Sequence, residues 1–263
     1  MRKIIDCFIF YNELDMLKFR LKELNNVVDY FVLVEADSTF SGMSKELFFE
    51  KNKLLFYDYL DKIVHVIVTD MPNTGAWDRE FHQRDAIDRG LKKIDIKPDD
   101  IIIISDLDEI CDVDTLLNIK NNGVSCIYHL KQDMFYYNLN CKGENWFLAK
   151  ICNYGSYLNI SKPNLIRIKG NPIGTIEKGG WHFSYFFDVD GIVNKIKSFS
   201  HQEYNNDKYT NKEIIKELIK NCDDLFFRDN ASTHNFKYFP YTENNYLPRN
   251  YEMLSNNIYV CYL

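Results

Sequence analysis

The chain has no basic block, no C-x-x-C pair, no glycine-rich phosphate loop and no apolar run of membrane-spanning length. Without clustered lysine and arginine, and with a net charge of −6, nothing stands ready to neutralise a row of phosphates, so nucleic acid is not expected as a partner. The seven cysteines, at positions 7, 111, 126, 141, 152, 222 and 261, are odd in number and scattered. That pattern fits reduced thiols in a reducing compartment and argues against a disulfide framework or a structural zinc. Neither G-x-G-x-x-G nor G-x-x-x-x-G-K-[ST] occurs, which argues against a dinucleotide site and a P-loop. The opening MRKIIDCFIFYNELD begins with basic residues, but Asp6 breaks its apolar run and no small-residue cleavage site follows, so it reads as a strand and not as a signal peptide. No window is long enough for a bilayer span. Sequons at Asn159 and Asn230 matter only if the chain is secreted. Repeats, low-complexity linkers and a clear domain boundary are also missing.

What is present is a core. The sequence is 46% hydrophobic and 15% aromatic, which supports a globular chain of one large α/β domain or two small ones and no disorder. Its first half alternates strand-like and helix-like stretches. KIIDCFIFY (3–11) is apolar on both faces, as a buried parallel strand requires. NELDMLKFRLKELNN (12–26) carries Leu14, Leu17, Leu21 and Leu24 in a stripe, with Asn12 as N-cap. Strands are expected at 30–36, 62–69 and 100–108, and helices at 51–60, 78–94 and 112–122. The second half reads as strands at 124–140, 164–170 and 180–187, then helices within 190–205 and 211–226. The tail YFPYTENNYLPRNYEML is expected to wrap the surface or close a cleft. The β-α rhythm predicts a mostly parallel sheet flanked by helices, with ligands beyond the carboxyl ends of its strands.

IIIISDLDEI (101–110) is where that rule meets chemistry. Four isoleucines run into Ser105, Asp106, Leu107, Asp108 and Glu109. In extended chain Asp106 and Asp108 point the same way, and a divalent cation with its preference for hard oxygen ligands relieves their repulsion. The plainer alternative is that the acids cap the next helix, a role open to Asp112 or Asp114. Candidates for holding a base and ribose are FYNE, that is Phe10, Tyr11, Asn12 and Glu13, and the stretch VEADSTFSG with Glu35 and Asp37. Arg84 either meets a phosphate or pairs with Glu80 or Asp88 on its own helix. Trp146 and Trp181 either stack on a sugar or sit in the core.

The stretches ELDMLKFRLKELNNVVDYFVLVEADSTFSGMSKELFF, AWDREFHQRDAIDRGL, DDIIIISDLDEI, GGWHFSYF and KIKSFSHQE, in that order over residues 6 to 205, resemble glycosyltransferase family 17, the β-1,4-mannosyl-glycoprotein β-1,4-N-acetylglucosaminyltransferases. The resemblance implies a GT-A-like, Rossmann-type fold in one transferase domain, with a nucleotide-sugar half over about 1–125 and an aromatic-rich acceptor half over about 126–263. It implies a UDP-N-acetylglucosamine donor, a glycan acceptor, inversion at the anomeric carbon and a divalent metal, Mn²⁺ or Mg²⁺. Asp106 would lie near ribose and metal, and Asp108 would be the more direct metal ligand, with His182 or His201 completing the sphere. The general base would be Glu203, in the family-like SFSHQE, or else Asp133 or Glu177. Animal members are Golgi proteins with an anchor and stem. This chain opens at the catalytic strand, so a cytoplasmic microbial or viral enzyme building a surface or capsular glycan is expected instead. A non-catalytic carbohydrate-binding or scaffold protein on the same fold, and a metal-dependent phosphohydrolase, are the rival readings.

Overall fold

The structure, a computed structural model, describes residues 1–228 and 235–255; Asn230 and Cys261 lie outside them. Its strands are β1 (Ile4–Phe10), β2 (Tyr30–Ala36), β3 (Ile63–Val68), β4 (Ile101–Asp106), β5 (Glu109–Cys111), β6 (Tyr128–Tyr136), β7 (Cys141–Trp146), β8 (Lys150–Asn153), β9 (Gly174–Ser184) and β10 (Lys237–Tyr238). They form one sheet in the order β10-β7-β6-β8-β4-β1-β2-β3, with β9 pairing β6 and β5.

The apolar strands of the first half pair in parallel, β4-β1-β2-β3, with Ile9 beside Asp106 and Phe10 beside Glu35. Their side chains divide between two cores. Ile101 and Ile103 of β4 join Ile4, Phe8 and Phe10 on one face, while Ile102 and Ile104 join Ile5 and Cys7 on the other. All four isoleucines of β4 are fully buried, each contributing about 1.5–3 kcal/mol of apolar burial. The doubly apolar pattern of 3–11 and 100–108 therefore has its expected cause, a strand covered on both sides.

The sheet as a whole is mixed, which corrects the expectation of a mostly parallel one. β8 runs antiparallel to β4 and β6, and β7 antiparallel to β6 and β10, whereas β6 and β9 are parallel. The short connection from β6 to β7 allows only an antiparallel neighbour, and β8 follows β7 in the same direction along β6. A second correction concerns 164–170, read above as a strand. Pro163–Lys169 is a helix with proline in its first turn, a position where the missing N–H costs nothing. Asn12 does not cap the first helix. Glu13 is the residue before Leu14–Leu24, and its carboxylate accepts from the backbone N–H of Tyr11 (3.3 Å) and Asn12 (3.1 Å). Asp112 does cap Val113–Asn122, accepting from Thr115 N at 2.8 Å.

The tail wraps instead of closing the cleft. Trp181 Nε1 donates to Tyr246 O at 3.1 Å, Glu23 accepts from the backbone of Arg249 and Asn250, and Tyr241, Leu247 and Tyr251 pack on the core. Gly180, at φ +122°, lets β9 approach β5 so closely that a Cβ there would lie 2.0 Å from Ile110 O. The six described cysteines are free. Among the described residues no helix is long and apolar enough to cross a membrane.

One polar contact ties these layers together. Arg20, fully buried, pairs with Asp6 of β1 through Nε (2.8 Å) and Nη2 (2.5 Å). Its remaining N–H groups reach Ser105 Oγ and the carbonyls of Asp106, Leu107 and Glu109 at 2.7–3.0 Å. Arg20→Met removes one partner of a buried pair and should cost about 3–5 kcal/mol, read as a lowered urea midpoint at unchanged m-value.

Candidate active site

β4 ends at Asp106, and Leu107–Asp108 turn the chain into β5, so the extended chain that would align the two carboxylates does not continue through Asp108. The turn is fixed from both sides: Glu109 Oε2 accepts from Asp106 N (2.8 Å), and Asp108 O accepts from Phe183 N of β9 (2.8 Å). Asp106 then meets guanidinium groups, Arg84 Nη2 at 3.0 Å on Oδ1 and Arg167 Nη2 at 2.6 Å on Oδ2. Asp108 meets Lys195 Nζ at 3.2 Å on Oδ2 and has His182 Nε2 3.5 Å from Oδ1. Burial by itself would raise both carboxyls. For Asp106 the charges of Arg167 and Arg84 prevail, and for Asp108 those of Lys195 and His182, so both lie below the ordinary carboxylate range.

Glu109 is fully buried and completes the cluster. It accepts from Arg167 on both oxygens (2.7 Å each) and from Trp146 Nε1 (2.6 Å). Trp146 in turn lies 4.6 Å from the His182 ring. His182 Nδ1 is buried without a hydrogen-bond partner among the described residues.

These groups open on a cleft of about 370 Å³ beyond the carboxyl ends of β1 and β4, the place the parallel strands dictate. Of the residues singled out from the sequence, Phe10, Tyr11, Glu13, Glu80, Arg84, Asp106, Asp108, Trp146, His182 and His201 line it. The others are elsewhere. Glu35 is fully buried and accepts from Phe49 N (2.9 Å), Glu50 N (3.3 Å) and His65 Nε2 (3.2 Å). Asp37 belongs to the bend that follows β2, where its carbonyl accepts from Lys45 N. Asp133 is paired with Lys142 (2.7 Å), and exposed Glu177 with Lys131 (2.8 Å). Glu203 does not line the cleft itself, but its Oε1 lies 2.6 Å from Nδ1 of His201, which does. Trp181 is in the core, and Arg84 keeps its pair with Glu80 (2.7 Å) while also facing the cleft.

Sequence reasoning missed Arg167, Lys195 and Ser200. Arg167 was hidden by reading its helix as a strand, although Pro163 was an available N-terminal signal. Lys195 lies in the last turn of the helix Val189–Ser198, where nothing local marks it as a site residue. Glu80 accepts from Arg84 and from Ser200 Oγ inside the cleft. Trp77 stands 41% exposed at its mouth, its ring 4.6 Å from His201 and 6.0 Å from Phe81.

Asp108 and His182 present the oxygen and nitrogen donors a divalent cation accepts, and the unpartnered Nδ1 shows an imidazole not consumed by structural bonding. No group of three or more His, Cys, Asp or Glu suited to a metal occurs among the described residues. One or two protein ligands completed by substrate phosphates and water is, however, the usual arrangement for Mg²⁺. Both oxygens of Asp106 are engaged by arginines, which leaves Asp108 as the available carboxylate.

The profile of glycosyltransferase family 17 matches residues 1–241. Three curated proteins named β-1,4-mannosyl-glycoprotein 4-β-N-acetylglucosaminyltransferase are similar to the chain. Those of Rattus norvegicus and Homo sapiens are 32% identical, and that of Mus musculus 31%, over 243 aligned residues covering 77% of this chain and 44% of each relative. The chain belongs to glycosyltransferase family 17. It spans less than half the length of those relatives. They correct one expectation: the similar proteins are mammalian, from the Golgi group of the family, so a cytoplasmic microbial or viral enzyme is not supported.

Arg167→Met should cost about 3 kcal/mol of stability, the low end for a broken buried pair because Trp146 and Asp106 N still satisfy Glu109. Trp146→Phe, which removes one bond to a charged acceptor, should cost less, about 1.5–3 kcal/mol. Denaturant titration of both variants gives the comparison.

Proposed function

We propose that the chain is a metal-dependent, inverting glycosyltransferase of GT-A type that moves N-acetylglucosamine from UDP-N-acetylglucosamine to a hydroxyl of a glycan. The observation that carries this is the Asp106-Leu107-Asp108 turn at the end of a buried parallel strand, opening on a cleft also lined by Arg84, Arg167 and Lys195, in a family 17 chain. The names of the curated relatives support N-acetylglucosamine as the sugar and a mannosyl glycoprotein as the kind of acceptor. The division into a nucleotide-sugar half over about 1–125 and an acceptor half over about 126–263 follows from the same reading, as one transferase domain.

A nucleoside diphosphate leaves well only when its developing charge is neutralised. Arg84, Arg167 and Lys195 are the cations that face the cleft beside the two aspartates. A divalent cation held by Asp108 and His182 would supply further neutralisation of that charge. Phe10, Tyr11 and Glu13, at the end of β1, are the groups for base and ribose.

Inversion needs a base that takes the acceptor proton while the sugar bond breaks on the opposite face. The His201–Glu203 pair meets that need: the imidazole lines the cleft, and the carboxylate 2.6 Å from Nδ1 orients it and stabilises the charge it gains. Asp133 and Glu177 are already neutralised by lysines away from the cleft lining.

Calorimetric titration of UDP and UDP-N-acetylglucosamine, with Mn²⁺ and with chelator, tests the donor side. Metal-dependent binding should appear in the wild type and fall by about 100-fold or more in Asp108→Ala, the order expected when a buried charged ligand is lost. Absence of nucleotide binding under every condition would leave a scaffold on a transferase fold. On the acceptor side, Trp77→Ala should raise the acceptor KM by about tenfold at unchanged donor affinity, since a sugar face stacked on an indole contributes on the order of 1 kcal/mol. Steady-state kinetics with varied acceptor measures it.

A further inference from the structure

We propose that Lys195 is the resting counter-ion of Asp108 and is displaced when metal and nucleoside diphosphate bind together, so that the protein takes up the divalent cation with the nucleotide and not before it. The inference rests on the metal-dependent reading above and adds an order of binding to it.

The ammonium of Lys195 holds one oxygen of Asp108 while the other faces His182. Its Nζ is 3.2 Å from Asp108 Oδ2, in the last turn of the helix Val189–Ser198, with only 24% of the side chain exposed. The same Nζ lies over the rings of Tyr185 (5.0 Å) and Phe187 (5.5 Å), so the position is built and not a chance surface pairing. A divalent ion arriving alone would have to share one carboxylate with this ammonium, and the two like charges repel at close range in a poorly screened cleft. Asp106 offers no substitute, because Arg84 and Arg167 hold one oxygen each. Nor does a third protein ligand compensate, since no cluster of three occurs among the described residues.

A diphosphate removes both obstacles. Its oxygens supply the ligands the protein lacks, and their negative charge gives the displaced ammonium a new partner in the same cleft. Lys195 thus has a place in both arrangements: on Asp108 beforehand, and on the phosphates afterwards. The exchange also explains why Asp108 can be neutralised in the structure and still be the metal's carboxylate.

The test is Mn²⁺ binding, followed by loss of the free-ion electron paramagnetic resonance signal, with and without UDP. Wild type should bind Mn²⁺ at least about tenfold more tightly with UDP than without it. Lys195→Met and Lys195→Gln, each checked by circular dichroism for retained fold, should bind Mn²⁺ without nucleotide about tenfold more tightly than wild type. Adding Asp108→Asn should abolish that gain. Mn²⁺ binding by wild type that is equally tight with and without UDP overturns the exchange while leaving the metal-dependent reading intact, and does so even if neither lysine variant folds. Equal nucleotide-free affinity in wild type and both variants overturns it likewise. Failure of every protein to bind Mn²⁺ in the presence of UDP removes the metal-dependent reading and the exchange together.

Discussion

Arg20 reaches from the helix Leu14–Leu24 into the sheet and places every guanidinium nitrogen on a partner there, with its carbon 4.4 Å from the Phe8 ring centre. Asp6 neutralises it; the carbonyls of Asp106, Leu107 and Glu109 are gathered around it. A turn between two strands has backbone acceptors that would otherwise demand water, and this one has a buried cation instead. The geometry of the site therefore depends on a residue that does not itself line the cleft. The turn that carries the aspartates keeps its shape because the carbonyls of Asp106, Leu107 and Glu109 are held on one centre, and the centre is fixed because desolvating a guanidinium makes any displacement expensive.

The same principle runs outward from the turn. Arg167 pairs with Glu109 below the cleft and with Asp106 at its floor, and Arg84 joins Asp106 to Glu80 and to Asn164 (2.9 Å). Asp106 and Glu80 are each shared between a structural partner and the cleft, so charges that a ligand meets are already oriented before it arrives. Preorganisation of this kind is what lets a dry site stabilise developing charge without reorganising for it. It also limits what each group can do. A carboxylate with both oxygens on arginines is a poor metal ligand, whereas one held by a lysine ammonium on a flexible stem remains exchangeable.

Much of the framework was legible because it follows from short-range pattern. β2 lies at the residues expected, and β1, β3 and β4 within two residues of them, since a strand buried on both faces has to be apolar throughout. The D-x-D at the end of β4 was legible for the same reason: charge following four isoleucines has no place in a core. The site's cations were not. Arg167 is 61 residues from Asp106 and Lys195 is 87 from Asp108, and nothing local in either helix announces its partner. In NLIRIKG the isoleucines flanking Arg167 imitate strand alternation, so a helix was read as a strand and its arginine passed unnoticed. Asn12 failed as a cap because the helix starts one residue later than expected, with Glu13 flanking it and its carboxylate turned back to the N–H groups of Tyr11 and Asn12. The mixed sheet was invisible because the antiparallel strands β7 and β8 are short, and polarity alternates too briefly there to show a period.

The two halves of the chain meet at His182. It lies on β9 opposite Glu109 of β5, against Trp146, and beside Asp108. The sheet delivers it by way of Gly180, whose left-handed conformation brings β9 within contact of β5. The parallel strands of the first half present Phe10, Tyr11 and carboxylates at their ends; they carry no imidazole to the cleft. By turning antiparallel, the sheet adds β9 to β5 and folds the second half back over the strand ends, bringing His182, Ser184 and the segment that carries Lys195 and His201 to the same cleft. The departure from a mostly parallel sheet is thus the feature that closes the site, and a purely parallel sheet of these strands would leave Asp106 with Arg84 alone and Asp108 without a cation.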